Sequence, residues 1–175
     1  MPTEISGSTG VNKIQDNTIV NADINSSAAI AGSKLVMPTG SVLQVVQGQN
    51  TSTYSTTSSS FSDTGLSASI TPSATTSKIL CVVSEVGFIH GSGSSLHTYC
   101  NLVRGSTVIN GTHAQGDGDS DMHYNASSQV FLDSPSTTSA TTYKMQMKTS
   151  SGTAYVNWQA SSGYKSTITL MEIAG

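Results

Sequence analysis

Residues Lys78–His90 read KILCVVSEVGFIH, and this stretch decides the fold class. It is the most apolar segment of the chain, and Val, Ile and Phe dominate its composition. Its apolar residues follow no helical period, and β-branched and aromatic side chains favour extended structure. An apolar run of this kind is typical of a strand buried on both faces. We therefore expect it to lie at the centre of a sheet.

The segments around this strand alternate apolar and polar residues, as strands with one buried face do. In residues 142–148, Tyr and Met occupy every second position and Lys and Gln lie between them. Turn residues separate the segments, and none of them shows a convincing amphipathic helical period. The pattern predicts an all-β antiparallel sandwich or barrel of eight or nine short strands. The other strand-like segments are residues 41–47, 66–70, 96–104, 106–110, 127–132, 154–159 and 166–173.

The composition excludes several classes of partner. The 175 residues include 32 Ser and 23 Thr, whereas only 10% are charged and the net charge is -3. Nucleic acids and anionic membrane surfaces need clustered basic residues, so we expect no nucleic-acid partner. The longest unbroken apolar run covers residues 79–83, and a membrane-spanning helix needs about 18 residues. We therefore expect no membrane insertion.

The two cysteines, Cys81 and Cys100, both lie among apolar residues. Two cysteines are too few to define a disulfide framework. Free cysteines are usually small buried side chains, and this is the interpretation we favour. The sequence leaves open whether the two residues pair.

The first 38 residues differ from the rest, which suggests an N-terminal arm (1–38) and a head (39–175). Apolar residues recur every five positions in the arm, a spacing that fits neither one helix nor one strand. The arm has too little apolar surface to fold alone. It is either a docking and trimerisation arm ordered by partner chains or a flexible tail. The residues expected to dock are Ile14, Ile19, Ile24, Ile30 and Leu35.

The main concentration of charge is the loop at residues 113–123, HAQGDGDSDMH. Asp117, Asp119 and Asp121 alternate in it, as carboxylates do in the first half of a calcium-binding loop. The glycine and glutamate of an EF-hand are missing at the positions where they belong. The loop is therefore either a simple exposed acidic loop or a calcium or magnesium site. His113 and His123 at its ends leave a transition-metal site as a further alternative.

No catalytic motif is present, and we expect neither an enzyme nor a cofactor beyond that cation. There is no G-x-S-x-G elbow, P-loop, G-x-G-x-x-G or C-x-x-C sequence. Glu85, inside the apolar strand, is expected to be paired at an interface. The aromatic residues either form a sugar-stacking surface or serve as core and interface residues, with Tyr143 and Trp158 in the core. They are Tyr99, Tyr124, Tyr143, Tyr155, Trp158 and Tyr164.

Several segments resemble sequences that recur in virion proteins of tailed bacteriophages, especially marine and cyanobacterial phages. They are NTIVNADINSSAAIAGSKL, GSVLQVVQ, TGLSASITPSATTSKIL, FLDSPSTTSATTYKMQMKT and STITLMEIAG, and the resemblance extends from about residue 17 to 175. It is weakest over residues 91–125. It implies a C-terminal jelly-roll head, similar to trimeric tumour-necrosis-factor-like heads, behind a thin arm that docks on the virion.

These expectations combine into one functional hypothesis. The chain is a structural protein of a phage virion, a homotrimeric tail fibre or appendage that docks on other virion proteins by its arm. Its head presents a β-sandwich, with a host surface glycan as a further partner. The alternative is a capsid decoration or cement protein that stabilises neighbouring capsomers, and a glycan depolymerase is a distant third.

Overall fold

A computed structural model of the chain describes residues 35–90, 96–116, 123–158, 163 and 165–175. The contacts divide the chain into Met1–Val36 and Met37–Gly175, and the fold below is that of the second unit. Most of the predicted arm therefore lies outside the described residues, so its role and its boundary at residue 38 stay predictions. Within the described ranges, no helix is long and apolar enough to cross a membrane.

The described residues form ten β-strands and no helix, which confirms the predicted all-β class. The segment that decides the fold is one continuous 13-residue strand with the predicted bounds. In chain order the strands are β1 (Val42–Asn50), β2 (Tyr54–Thr56), β3 (Ser62–Ile70), β4 (Lys78–His90), β5 (Leu96–Arg104), β6 (Thr107–Gly116), β7 (His123–Asp133), β8 (Thr141–Thr149), β9 (Thr153–Val156) and β10 (Ser166–Ile173).

The strands form two antiparallel sheets. Sheet A is built on β4, which pairs with β7 along one edge and with β10 and then β9 along the other. Strand β1 completes the sheet beside β10, and β2 pairs with β9. Sheet B has the order β3-β8-β5-β6. If the short strands β2 and β9 are set aside, the order β1-β10-β4-β7 of sheet A faces the order β3-β8-β5-β6 of sheet B. The first strand, β1, then lies beside the last, β10.

This order is that of a jelly roll. It confirms the antiparallel sandwich expected from the alternating segments and the jelly-roll topology that the phage resemblance implied.

The core lies between the two sheets and is made of alternate residues from both. Cys81 in β4 and Cys100 in β5 are both buried and free, which confirms the prediction of two buried thiols. Burial raises the pKa of each thiol to about 12. The core cluster comprises Leu66, Ala68, Ile70, Ile79, Cys81, Val83, Cys100, Leu102, Tyr143, Met145, Met147, Ala154, Val156, Ile168 and Leu170.

The prediction that β4 is buried on both faces is wrong for a single chain. Its inward side chains, such as Ile79 and Val83, are buried, but Leu80 and Val82 on the outward face are only half-buried and Ser84 is exposed. Strand β4 is central by its pairing, yet no layer among the described residues covers its outer side. The apolar residues there are available to a partner.

Two polar networks connect the strands with one another and with the segment before β4. Asp133 at the end of β7 accepts hydrogen bonds from Tyr143 Oη (2.7 Å) in β8 and from Arg104 Nη1 (2.8 Å) in β5, so it joins sheet A to sheet B. Glu172 in β10 is fully buried, and its carboxylate holds the segment before β4 through Ser73 and Ser77. Gln44 Nε2 of β1 donates to the same carboxylate at 2.6 Å.

Candidate assembly surface

The site residues predicted from the sequence fall mostly outside the described part of the chain. Ile14, Ile19, Ile24 and Ile30 lie in residues 1–34, and Asp117, Asp119 and Asp121 lie in residues 117–122. Leu35 is described, and its side chain is half exposed. Among the described residues, no three His, Cys, Asp or Glu side chains are grouped so as to share a metal ion. The docking and cation sites therefore stay predictions.

The outward side of sheet A carries a continuous group of apolar side chains. Residues paired directly across antiparallel strands point to the same face, so the register identifies the group. One row crosses four strands, from Val45 through Met171 and Leu80 to Leu132. We call the following eight residues the apolar face: Val42, Val45, Leu80, Val82, Val130, Leu132, Met171 and Ile173.

The side chains of the apolar face are unusually exposed for their type. Val130 is 68% exposed, Val45 57% and Leu132 54%, whereas the central members are half-buried. No member is charged, but Gln47 and Thr169 share a row with Val82 and Val130, and Lys78 lies in the row of Val42 and Ile173. The row beyond Val82 and Val130 consists of polar side chains, namely Gln49, Thr167, Ser84 and Ser128. A large apolar patch with a polar border is typical of a protein interaction site.

The outward side of sheet B differs from the apolar face, because it carries lysine, amide and aromatic side chains. Lys148 Nζ lies 4.8 Å from the centre of the Phe61 ring and 4.9 Å from that of Tyr99. Tyr99 in turn stacks on His113 with 6.0 Å between ring centres, and the His97 ring lies 6.0 Å from Tyr99. We call these five residues the ring row. This surface can bind a ligand by stacking and by positive charge.

The other aromatic residues divide between core and surface. Tyr143 is fully buried, as predicted. Trp158 is only half-buried and packs edge-on against Tyr155 at 4.3 Å between ring centres, so its predicted core position is wrong for a single chain. The side chains of Tyr124 and Tyr164 lie outside the described part of the molecule.

The environment of Glu85 was not predicted from the sequence. It points inward, is 1% exposed, and neither carboxylate oxygen has a hydrogen-bond partner of normal geometry within the described residues. The expected pairing at an interface is therefore wrong. Burial raises the pKa of its carboxyl to about 7, and the Thr64 hydroxyl opposes this to a smaller extent. The carboxyl thus changes charge near neutral pH, inside the sandwich.

Glu172 shows the opposite behaviour in an equally buried position. Burial alone raises the pKa of a carboxyl, but hydrogen bonds from Ser73, Ser77 and Gln44 outweigh it and lower the pKa of Glu172 to about 2. Hydrogen bonds to the ionised form stabilise that form. Glu172 is therefore a structural anchor and has no free oxygen for chemistry.

The comparisons with known proteins found similar solved structures only. No protein-family model matches the chain, and no curated protein matches it. One similar structure is the infectious bursal disease virus VP2 subviral particle, with 19% identity and a TM-score of 0.42. The match covers 85% of this chain and 37% of that chain.

A second similar structure is that of T=1 particles derived from infectious bursal virus, with 17% identity and a TM-score of 0.40. That match covers 85% of this chain and 41% of the other. The chain therefore spans about two fifths of the length of these viral proteins. At such low similarity the assignment of the fold rests on the strand order described above.

Proposed function

We propose that this chain is a structural protein of a tailed-phage virion: a homotrimeric tail fibre or appendage. In this proposal, residues 1–38 dock on other virion proteins and the jelly-roll head points outward. The phage-like segments support the virion assignment, and the jelly-roll order agrees with it. The protein has no catalytic role in this proposal.

The observation that carries the proposal is the apolar face. An uncharged apolar surface on the outside of a sheet is costly to leave in water and promotes aggregation, so it is normally covered by a partner. A protein whose role is assembly has such a partner permanently. The polar outer side of sheet B is the surface that remains for the host, and a host surface glycan is the ligand we assign to it.

The runner-up function is a capsid decoration or cement protein. The same apolar face suits it, because such a protein also covers a neighbour. Copy number and position separate the two functions. A fibre or appendage occurs in few copies at the tail, whereas a decoration protein occurs in many copies over the capsid.

The decisive experiment is a reconstruction of the virion at a resolution that traces the chain. We expect three copies of the head around one axis at the tail, with residues 1–38 in contact with another virion protein. Many copies distributed over the capsid would favour the decoration protein. Absence of the chain from purified particles would contradict both functions.

A further inference from the structure

We propose that the polar end of the interior binds a small monovalent cation, held by the Glu85 carboxylate and by neighbouring uncharged oxygen atoms. The inference concerns the inside of the head, so it does not depend on where the head lies in the virion. The inward-facing polar residues around Glu85 are called the interior polar cluster below. They are Thr64, Glu85, Thr98, Cys100, Thr112, Ser127 and Gln129.

The interior polar cluster connects the two sheets at the end of the core opposite to Asp133. Glu85 pairs with Ser127 in sheet A, and Gln129 is the next inward residue of β7. Ser127 Oγ lies 3.0 Å from Thr112 Oγ1 in sheet B, and Gln129 Nε2 donates to the same Thr112 oxygen at 3.4 Å. Long side chains at diagonal positions of neighbouring strands are within reach of each other. The Glu85 carboxylate and the Gln129 amide can therefore contact one and the same ligand.

Four buried oxygen atoms of the cluster have no hydrogen-bond partner of normal geometry among the described residues. They are both carboxylate oxygens of Glu85, Gln129 Oε1 and Thr98 Oγ1. An ionised carboxylate and an amide oxygen accept hydrogen bonds and cannot donate them. The Thr64 hydroxyl near Glu85 donates to the Met145 carbonyl oxygen at 3.3 Å. Because buried charges in proteins are paired or bind a metal ion, these oxygens form a donor set for a cation.

The cluster reaches the surface between β6 and β7. Glu85 and Gln129 are buried, whereas Thr112 and Ser127 in front of them are only half-buried. The hydroxyl pair of Thr112 and Ser127 therefore lies where the cluster meets solvent. An ion can enter at this edge without unfolding of the core, and the hydroxyl oxygens can replace part of its hydration shell.

The charge of the cluster favours a monovalent ion. Glu85 supplies one carboxylate, and the Cys100 thiol adds no charge because burial raises its pKa to about 12. A monovalent cation neutralises this single charge, whereas a divalent cation would leave an uncompensated positive charge in the interior, which is costly. Calcium also takes about 6–8 oxygen ligands, more than the cluster leaves unpartnered. Oxygen ligands suit hard cations, so sodium is the appropriate probe.

Thermal melting of the full-length chain at pH 8, where the Glu85 carboxyl is ionised, tests the proposal. Sodium chloride would be compared with N-methylglucamine chloride at equal ionic strength, because that organic cation is too bulky for the site and screens charges equally. We expect the melting temperature to rise by about 3 °C for each ten-fold increase in sodium, since a ligand that binds only the folded protein stabilises it by mass action. Equal melting temperatures in the two salts would overturn the proposal.

Two variants locate the ion. Glu85→Gln keeps the shape of the side chain and removes its charge, so the sodium effect should disappear. Gln129→Met keeps the carboxylate and removes the amide oxygen, so the same effect should need about ten-fold more sodium. The control Asp63→Asn, at an exposed position of sheet B, should respond like the wild type. A sodium effect that persists in Glu85→Gln would mean that the ion binds elsewhere, and the site would be wrong.

A third variant separates this site from the cation site predicted in the acidic loop. The triple variant Asp117→Asn, Asp119→Asn and Asp121→Asn should keep the full sodium effect, and its loss would assign the ion to the loop and overturn the proposal. Calcium chloride should stabilise the triple variant no more than sodium chloride of equal ionic strength. A larger effect of calcium that Glu85→Gln abolishes would mean that the occupant is divalent, and the proposed monovalent ion would be wrong.

Discussion

At the scale of single residues, two buried glutamates of the same sandwich have opposite properties. Glu172 receives four hydrogen bonds and stays ionised, whereas Glu85 receives none of normal geometry from the described residues. Cys100 lies close enough to Glu85 for that charge to act on it, and its thiol remains protonated because burial and the Glu85 charge raise its pKa to about 12. The thiol therefore adds no charge beside Glu85.

We predict that Glu85→Gln removes a pH dependence of stability. The folded pKa of about 7 lies above the ordinary 4.5, so the neutral carboxyl favours folding below pH 4.5 and this contribution is lost as the pH rises through 7. The pKa difference corresponds to about 3 kcal/mol at most. Between pH 5 and pH 8 the melting temperature of the wild type should fall by about 5 °C or more.

The matched control is Asp63→Asn, which changes an exposed carboxylate and should keep the wild-type slope with pH. The Glu85→Gln variant should melt at nearly the same temperature at both pH values and be the more stable protein at pH 8. An identical slope for wild type and variant would show that Glu85 does not titrate in this range.

At the scale of the strands, the ion pair between Asp133 and Arg104 joins the two sheets. We predict that Asp133→Asn lowers the free energy of unfolding by about 2–4 kcal/mol, since it leaves Arg104 without its carboxylate in a partly buried position. Urea denaturation measures this loss. The control is Lys144→Met, which breaks the more exposed Lys144–Asp63 pair and should cost less than about 1 kcal/mol. Equal losses would mean that the buried pair contributes no more than a surface pair.

The ring row gives a prediction for the outer side of sheet B. Among the described residues, Lys148 has no carboxylate partner, whereas Lys144 on the same strand is paired with Asp63. If the head binds a host glycan here, Lys148→Met should weaken binding of polygalacturonate about five-fold, because the variant removes an ammonium group held between two rings. Calorimetry with the full chain measures the affinity.

Two controls distinguish the contribution of charge to glycan binding from the contribution of ring stacking. Lys144→Met should leave the affinity unchanged, and the methyl-esterified polymer, which has the same sugar rings without the charge, should bind the wild type more weakly. Equal effects of the two lysine variants would contradict a role for the ring row.

At the scale of the whole molecule, assembly should depend little on salt. The apolar face has no charged member, and hydrophobic association is strengthened by salting-out ions, whereas exposed ion pairs are screened. We predict a mass of three times the 18.0 kDa chain by light scattering in both 0.05 M and 1 M sodium chloride. Dissociation at 1 M salt would indicate that charged groups hold the copies together.

The strands were readable from the sequence because local patterns determine them, whereas the jelly-roll order was implied only by the resemblance to phage proteins. Alternation in residues 142–148 and the apolar run of β4 predicted strands whose bounds agree with the structure within a few residues. The exposure of the outward face of β4 was not predictable in the same way. An apolar residue in the sequence does not indicate whether its own chain or another chain buries it. The lack of a hydrogen-bond partner for Glu85 was also not predictable, because a partner for this carboxyl would come from strands that are distant in the sequence.

The place of β10 in sheet A has a consequence for biosynthesis. Strand β10 lies between β1 and β4, and its residues pair with residues of β1 that were made more than a hundred positions earlier. A ribosome that has not yet released Ser166–Ile173 therefore carries a head whose longest strand lacks one lateral neighbour and whose first strand has none. Nascent chains of this protein should remain sensitive to protease until β10 has been made, and a stop codon at position 166 should leave no folded product.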